Sequence, residues 1–429
     1  MALSVKQESV NQESVNQESV KTITINQDRI SERLDHLASL TDPAVPYTRR
    51  AFTERYREAR GWLEHQFQQA HLTPRYDAAA NLIGRREGTQ NLPTLALGSH
   101  IDTVTGGGRF DGTAGVIVGL EIAQALAEAG VTLEHPLEII DFISEEVSDY
   151  ATASCVGSRA LSNTLTAAML AGTNPDGETL AAAIDRMGGE AANIAQTKQF
   201  DYAGYMELHI EQGLVLESQA IPLGVVTGIV TIRRFELRIL GQPDHAGTTP
   251  MALRRDALVG AAWMIRHVRD LAAARDDVVA TVGRMFNHPN GANVIPGETV
   301  LNLEIRALDE SLIDQLYKQL LADAAPILAE DGLVLEHRQL SNSPGIRCAE
   351  PIQDALEHAA QKRGHASLKL PSGAGHDAMH MASICPVGMV FIRSIGGRSH
   401  TPDEKSRPED LHAAAEVMLG ALLALDKQP

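Results

Sequence analysis

Residues 95–115, LALGSHIDTVTGGGRFDGTAG, constrain this chain more than any other stretch. An apolar run ends at Gly98-Ser99, and His100 and Asp102 follow one residue apart. A glycine-rich loop comes next, and Asp111 closes it just before a long helical pattern. An apolar run this short, bounded by glycine, reads as a buried strand rather than a helix. An imidazole and two carboxylates are therefore delivered at a strand end, where sites gather in open α/β sheets. The loop is no phosphate cradle: it lacks G-x-G-x-x-G, and no Lys-Ser or Lys-Thr follows it.

The rest of the chain repeats the alternation. Apolar runs at 92–98, 137–143, 203–210 and 387–392 interleave with helical patterns at 116–129, 257–274, 352–363 and 411–425. That order predicts an α/β sheet covered on both faces. Residues 224–240, 278–285 and 300–308 instead alternate apolar and polar, predicting an antiparallel sheet with helices 257–274 and 311–329 on one side. The expected organisation is an α/β domain from residues 25–222 and 341–429, interrupted by an α+β domain at 223–340. Within the first, 27–72 reads as helical. The unit QESV begins at 7, 12 and 17, a polar repeat that matches neither helix nor strand, so residues 1–24 are expected to be a disordered extension.

Composition narrows the function classes. The 429 residues are 44% hydrophobic, ample for a large core, and the net charge of -18 argues against nucleic acid or an anionic membrane as partner. The three cysteines, Cys155, Cys348 and Cys385, are widely spaced, which points to a reducing cytoplasm rather than a disulfide framework. No apolar run reaches the roughly 18 residues of a membrane span, and the start lacks a secretory pattern.

Chemistry-bearing residues cluster at or beyond the predicted strand ends: His100, Asp102 and Asp111; Glu145 and Glu146; His209 and Glu211; His376 and Asp377; and His400. Each has an ordinary alternative as a satisfied polar residue or a solvated surface group. Imidazoles with carboxylates and no thiolate suit zinc, manganese or cobalt. A loop carboxylate such as Asp111 can bridge two ions, and Asp102 can orient His100. One of the adjacent Glu145 and Glu146 can bind metal while the other stays free as a base. Paired ions activate a water and polarise a carbonyl.

The stretches GSHIDTV, GGRFDG, EE followed by GSRAL, ELHIEQG, HAGTTPM with RRDAL, NVIPG, SGAGHDAM and SHTPDE run in order through most of the chain. Carrying them, the sequence resembles the hydantoinase/carbamoylase family of dinuclear-metal amidohydrolases. The resemblance implies an α/β, metallopeptidase-like catalytic domain with a mixed sheet flanked by helices, plus an inserted α+β lid and dimerisation domain. It implies two divalent metal ions per subunit, held by His100, Asp111, Glu146, His209 and His400, with Asp111 bridging. Glu145 would be the general base, Asp102 would orient His100, and His245 would reach from the partner subunit to stabilise an oxyanion. Gln212, Asn293, Arg306 and His376 would bind substrate, Asn293 and Arg306 holding its carboxylate. The peptide after Asp111 would be cis. The implied partners are a small ureido or amide substrate carrying a carboxylate and a second copy joined through residues 223–340, with no nucleic acid and no membrane.

The implied reaction is hydrolysis of a linear amide C–N bond, first of all in an N-carbamoyl-L-amino acid or related ureido acid. The alternatives are an N-acyl amino acid or dipeptide hydrolase and, from another class, a dimeric binding protein without turnover. One departure bears on the substrate. Where the family usually has Gly, then Ser-Arg-Phe, after the two glutamates, this chain has Val147-Ser148-Asp149-Tyr150.

Overall fold

The computed structural model describes residues 23–150, 154–196 and 201–427. Apart from residues 23 and 24, the expected N-terminal extension lies outside them. In chain order the strands are β1 (Thr73–Tyr76), β2 (Leu82–Arg86), β3 (Thr94–Ser99), β4 (Leu137–Asp141), β5 (Tyr202–Ile210), β6 (Leu223–Ile229), β7 (Thr231–Leu240), β8 (Asp244–His245), β9 (Val278–His288), β10 (Val294–Ile295), β11 (Glu298–Ala307), β12 (Val334–Ser343), β13 (Ile346–Arg347), β14 (Ser367–Ser372) and β15 (Val387–Ile392).

A nine-stranded mixed sheet has the order β1-β2-β4-β3-β5-β15-β6-β13, with β14 paired to β6. Strands β4, β3, β5 and β15 are parallel neighbours. Their carboxyl ends therefore open on the same end of the sheet, where the loops carrying His100, Glu145 and His400 begin. Every residue of β3 is buried, as a central parallel strand requires. Its side chains alternate between two cores: Leu95 and Leu97 pack on one face of the sheet and Ala96 on the other.

Helix Thr113–Glu128 lies on the Leu95/Leu97 face, between the sheet and helices Gln27–Ser39 and Pro408–Leu425. It is buried along almost its whole length, as an apolar helix covered on both sides must be. Its one buried carboxylate, Glu121, accepts hydrogen bonds from Arg29 at 2.6 Å and Arg33 at 3.3 Å. The first turn sits unusually low on the sheet. A Cβ added to Gly115 would lie 2.3 Å from the Leu208 carbonyl oxygen and 2.7 Å from the Ser99 Cβ. Glycine there lets the helix start against the ends of β3 and β5, and so sets Asp111 beside His100 and His209.

The smaller sheet is antiparallel throughout, with order β12-β7-β11-β9. Along β11 buried and half-buried residues alternate strictly. Its inward face, with Leu301, Leu303 and Ile305, packs with Phe235, Leu237 and Ile239 against helices Ala257–Ala273 and Glu310–Glu330. One expectation is corrected here. Residues 224–240 do not form one strand of this sheet: β6 belongs to the nine-stranded sheet, and the smaller sheet starts at Thr231. Leu223, Val225, Val226 and Ile229 are buried on both faces of β6, an environment that alternation alone does not separate from a half-solvated strand.

Gly115→Ala should lift the helix off the strand ends and destabilise the protein by about 1–3 kcal/mol or more, the range for overpacking. The urea midpoint checks this; an unchanged midpoint would mean the contact relaxes without cost.

Candidate active site

Three loops and one strand bring the predicted metal ligands and Glu145 together. His100 follows β3, Asp111 ends the glycine loop, and Glu145 and Glu146 follow β4. His209 lies inside β5, and His400 lies in the loop after β15, in a left-handed conformation with φ 54°. The imidazoles of His100 and His209 are held by the main chain. His100 Nδ1 donates to the Asp102 carbonyl at 3.0 Å, and His209 Nδ1 donates to the Ile210 carbonyl at 3.0 Å. Each Nε2 is thereby left as the ring atom facing inward.

Asp111 sits among them and is buried. Its Oδ1 lies 3.2 Å from His209 Nε2, and its Oδ2 lies 3.2 Å from His400 Nε2. The two oxygens of one carboxylate thus face different imidazoles, the disposition of a bridging ligand. His400 Nε2 is also 3.1 Å from Glu146 Oε1. Two sets of donor atoms, His100/Asp111/His209 and Asp111/Glu146/His400, each fall within 4.8 Å of one another and share Asp111. Among the described residues no Lys or Arg forms an ion pair with Asp111, Glu145 or Glu146. Convergent imidazole and carboxylate donors, with carboxylates that no Lys or Arg neutralises, fit divalent metal.

The local electrostatics agree. Burial opposes a charge on His209, yet the Asp111 carboxylate raises it to about 9. Hydrogen bonds to Asp111 and Glu146 raise His400 to about 10. Burial works against ionisation of Asp111, but His209 and His400 hold it well below the usual carboxylate range. Burial and then the neighbouring Glu146 push Glu145 well above that range. Glu145 Oε2 is 3.6 Å from His100 Nε2, beside the cluster.

Asp102 does more than orient a ring, and by a different route than expected. Its carboxylate is 3.6 Å from His100 Nδ1, beyond hydrogen-bond reach, and its own carbonyl holds the ring instead. The carboxylate accepts the backbone N–H groups of Glu145 at 3.2 Å and Glu146 at 3.1 Å. It therefore aims the two glutamates. The expected cis peptide after Asp111 is also corrected: among the described residues the cis bond is His288–Pro289. Gly112 makes the turn through φ 60°, with a Cβ excluded by His100 Nε2 at 2.2 Å.

The remaining predicted residues fall in three places. Gln212 is beside the cluster, but its amide nitrogen is spent on Asp111 Oδ1 and Ser399 Oγ, both at 3.1 Å. His376 is buried, its ring 4.4 Å from that of His209 and its Nε2 2.8 Å from Ser372 Oγ. Arg306 lies on β11, forked onto Glu304, and reaches the Gly373 carbonyl in the loop before His376. Among the described residues, His245 and Asn293 make no hydrogen bond or ion pair with the cluster. They sit on and beside the exposed β8/β10 ribbon, where the Asn293 carbonyl accepts the Ala246 N–H. His245 Nδ1 accepts the N–H groups of Gly247 and Thr248, so its Nε2 faces outward as a donor.

Sequence reasoning missed supporting carboxylates. Glu207, two residues before His209 on the same face of β5, is fully buried and accepts from Ser99, Tyr205 and the Ala378 N–H. Its lone pairs are used by the protein, so it braces the site rather than joining a third ligand set. The i, i+2 spacing was the available signal. Glu211, grouped with His209 on proximity, only caps the turn at Val215 and Leu216. In the departing segment, Asp149 pairs with Arg50 at 2.9 Å, Tyr150 stacks edge-on with Phe52, and Val147 beside Glu146 is 59% exposed. The charge reversal at 149 thus has its own partner away from the cluster.

Known proteins match this chain in sequence and in fold. Residues 96–424 match the family model described as Peptidase family M20/M25/M40. The N-carbamoyl-L-amino acid amidohydrolase of Geobacillus stearothermophilus is 38% identical, the match covering 92% of this chain and 97% of that protein. The ureidoglycolate hydrolase of Oryza sativa subsp. japonica is 32% identical over 94% of this chain and 86% of that one. The crystal structure of an amidase of the hydantoinase/carbamoylase family from Burkholderia multivorans superposes with a TM-score of 0.88 at 32% identity, covering 95% of this chain and 99% of that one. The chain therefore belongs to peptidase family M20/M25/M40 and, within it, to the hydantoinase/carbamoylase amidohydrolases.

Proposed function

We propose that this protein hydrolyses the carbamoyl C–N bond of an N-carbamoyl-L-amino acid or a related ureido acid, releasing ammonia, carbon dioxide and the free amine. The observation that carries this reading is the Asp111-centred donor cluster with Glu145 at its edge, in a chain whose relatives bear carbamoylase and ureidoglycolate hydrolase names. His100, Asp111 and His209 would hold one divalent ion, and Asp111, Glu146 and His400 a second; zinc, manganese and cobalt all suit these donors. Ions bound there supply Lewis acidity, polarising the scissile carbonyl and acidifying a water.

The chain's own residues do the rest. Glu145 takes the proton of the attacking water and passes it to the leaving nitrogen; burial has raised its basicity for the task. Asp102, holding the Glu145 and Glu146 N–H groups, fixes the base relative to the ligand beside it. Arg306 and Asn293 hold the substrate carboxylate, a role that suits a forked guanidinium. Two N–H groups of Arg306 are taken by Glu304 and one by Gly373, which leaves its remaining donors for substrate. His245 offers its Nε2–H to the developing oxyanion. Because its ribbon is exposed and, among the described residues, pairs within residues 223–340, His245 would act on the site of a partner subunit. The smaller unit then serves as lid and dimer contact, and the active species is a homodimer.

Three outcomes test this reading. With manganese, cobalt or zinc present, a panel of N-carbamoyl, N-acyl and ureido acids should give ammonia from the carbamoyl and ureido members; acid release without ammonia would move the protein to the acylase alternative. Glu145→Gln should lower kcat by about 10²–10⁴-fold with metal content unchanged, and near-normal turnover would remove Glu145 as the base. Metal affinity should climb as pH rises toward about 9 and about 10, because ligation must displace the protons that Asp111 and Glu146 stabilise on His209 and His400. The sign is opposite for the metal-free protein. These raised values stabilise it fully below the ordinary histidine pKa of about 6.5, and that contribution is lost as pH passes through the same range. Calorimetric titration and thermal melts read both; flat profiles would contradict the assignment.

A further inference from the structure

Glu404 lies outside every role assigned so far. It follows His400 by four residues, and it is buried, with 4% of its surface exposed. Its Oε1 accepts the backbone N–H groups of Phe110 at 2.8 Å and Asp111 at 3.0 Å. Its Oε2 accepts the Ser399 hydroxyl at 3.0 Å. One side chain thus ties the loop that ends in Asp111 to the residue just before His400. Gln212 makes the same link from the other side, donating to both Asp111 Oδ1 and Ser399 Oγ.

The glycine loop is shaped around this carboxylate. A Cβ on Gly108 would stand 1.9 Å from the Glu404 carboxyl carbon and 2.0 Å from each oxygen. Relieving that overlap means moving a carboxylate held by three hydrogen bonds, so a side chain at 108 competes directly with the Glu404 contacts. The GGRFDG and SHTPDE stretches, almost three hundred residues apart, are therefore one packing unit with Glu404 at its centre.

We propose that Glu404, seated on Gly108, is a positioning residue that sets the separation of Asp111 from His400 and thereby the retention of the ion they share. The proposal rests on the ligand assignment made above. Its operative property is reach, not charge: the carboxylate must span from two backbone N–H groups to Ser399. A glutamine keeps that reach and an acceptor oxygen; an aspartate keeps the charge and is one methylene too short.

The test uses the full-length protein, stripped of metal, with manganese and zinc as probes in chelator-competition titrations and elemental analysis after dialysis. Melting of the metal-free form controls for folding. Glu404→Asp and Gly108→Ala should each weaken metal binding by about 10–100-fold, the usual effect of losing a partner that orients a ligand. Glu404→Gln should stay close to the parent. Ser399→Ala, which removes one of the three bonds and little volume, should fall between, and it keeps the question open to measurement should the harsher variants fail to fold. Parental affinity in Ser399→Ala and Glu404→Asp would overturn the proposal, as would a loss in Glu404→Gln equal to that in Glu404→Asp. Parental affinity in Asp111→Asn would instead overturn the ligand assignment on which it rests.

Discussion

The arrangement depends on a single buried carboxylate that faces an imidazole with each oxygen. Asp111 cannot be ionised inside a protein without compensation, because an isolated carboxylate in low dielectric is strongly penalised. His209 and His400 supply part of that compensation, and Glu404 and Gln212 fix where the aspartate stands. Around it lie Asp102, Glu145 and Glu146, with no Lys or Arg paired to the latter two among the described residues. Such a concentration of acid is costly as a folding feature and makes physical sense as a cation site.

What brings Asp111 there is backbone, not side chain. Gly115 lets the helix begin on top of the strands, Gly112 turns the chain at a positive φ, and Gly108 leaves room for Glu404. Arg49 adds a brace from outside, donating to the Ile101 carbonyl at 2.8 Å and to the Leu37 carbonyl at 2.6 Å. Most of the loop that looks loose in composition is thus buried, Thr105 excepted, and Gly108 and Gly112 mark close approach.

Much of this was legible in the residues alone. Strands β3, β4, β5 and β15 and the helix between β3 and β4 follow from apolar runs alternating with helical periods, and the clusters lie at the strand ends where that topology directs them; the short helices between β4 and β5, such as Val156–Leu161 and Leu180–Arg186, were not foreseen. Position β6 was not legible, since a strand buried on both faces and one buried on a single face differ only in their neighbours. The route by which Asp102 acts was hidden for a similar reason: spacing shows that it is near His100, but only three dimensions show that its carboxylate turns to the Glu145 and Glu146 amides. Glu404 was hidden by distance along the chain, because nothing in SHTPDE reveals that its last residue lies against a glycine near residue 108.

The way His100 and His209 are held has a consequence for how such a protein can change. Their Nδ1 atoms are bonded to main-chain carbonyls, which every amino acid possesses and no point substitution can delete. The ring orientations are therefore insulated from variation in the side chains nearby. Residues on the rim, Val147 among them, are free to diverge while the imidazoles keep their aim, so the surroundings of the cluster can be retuned over evolutionary time without rebuilding its imidazole and carboxylate donors.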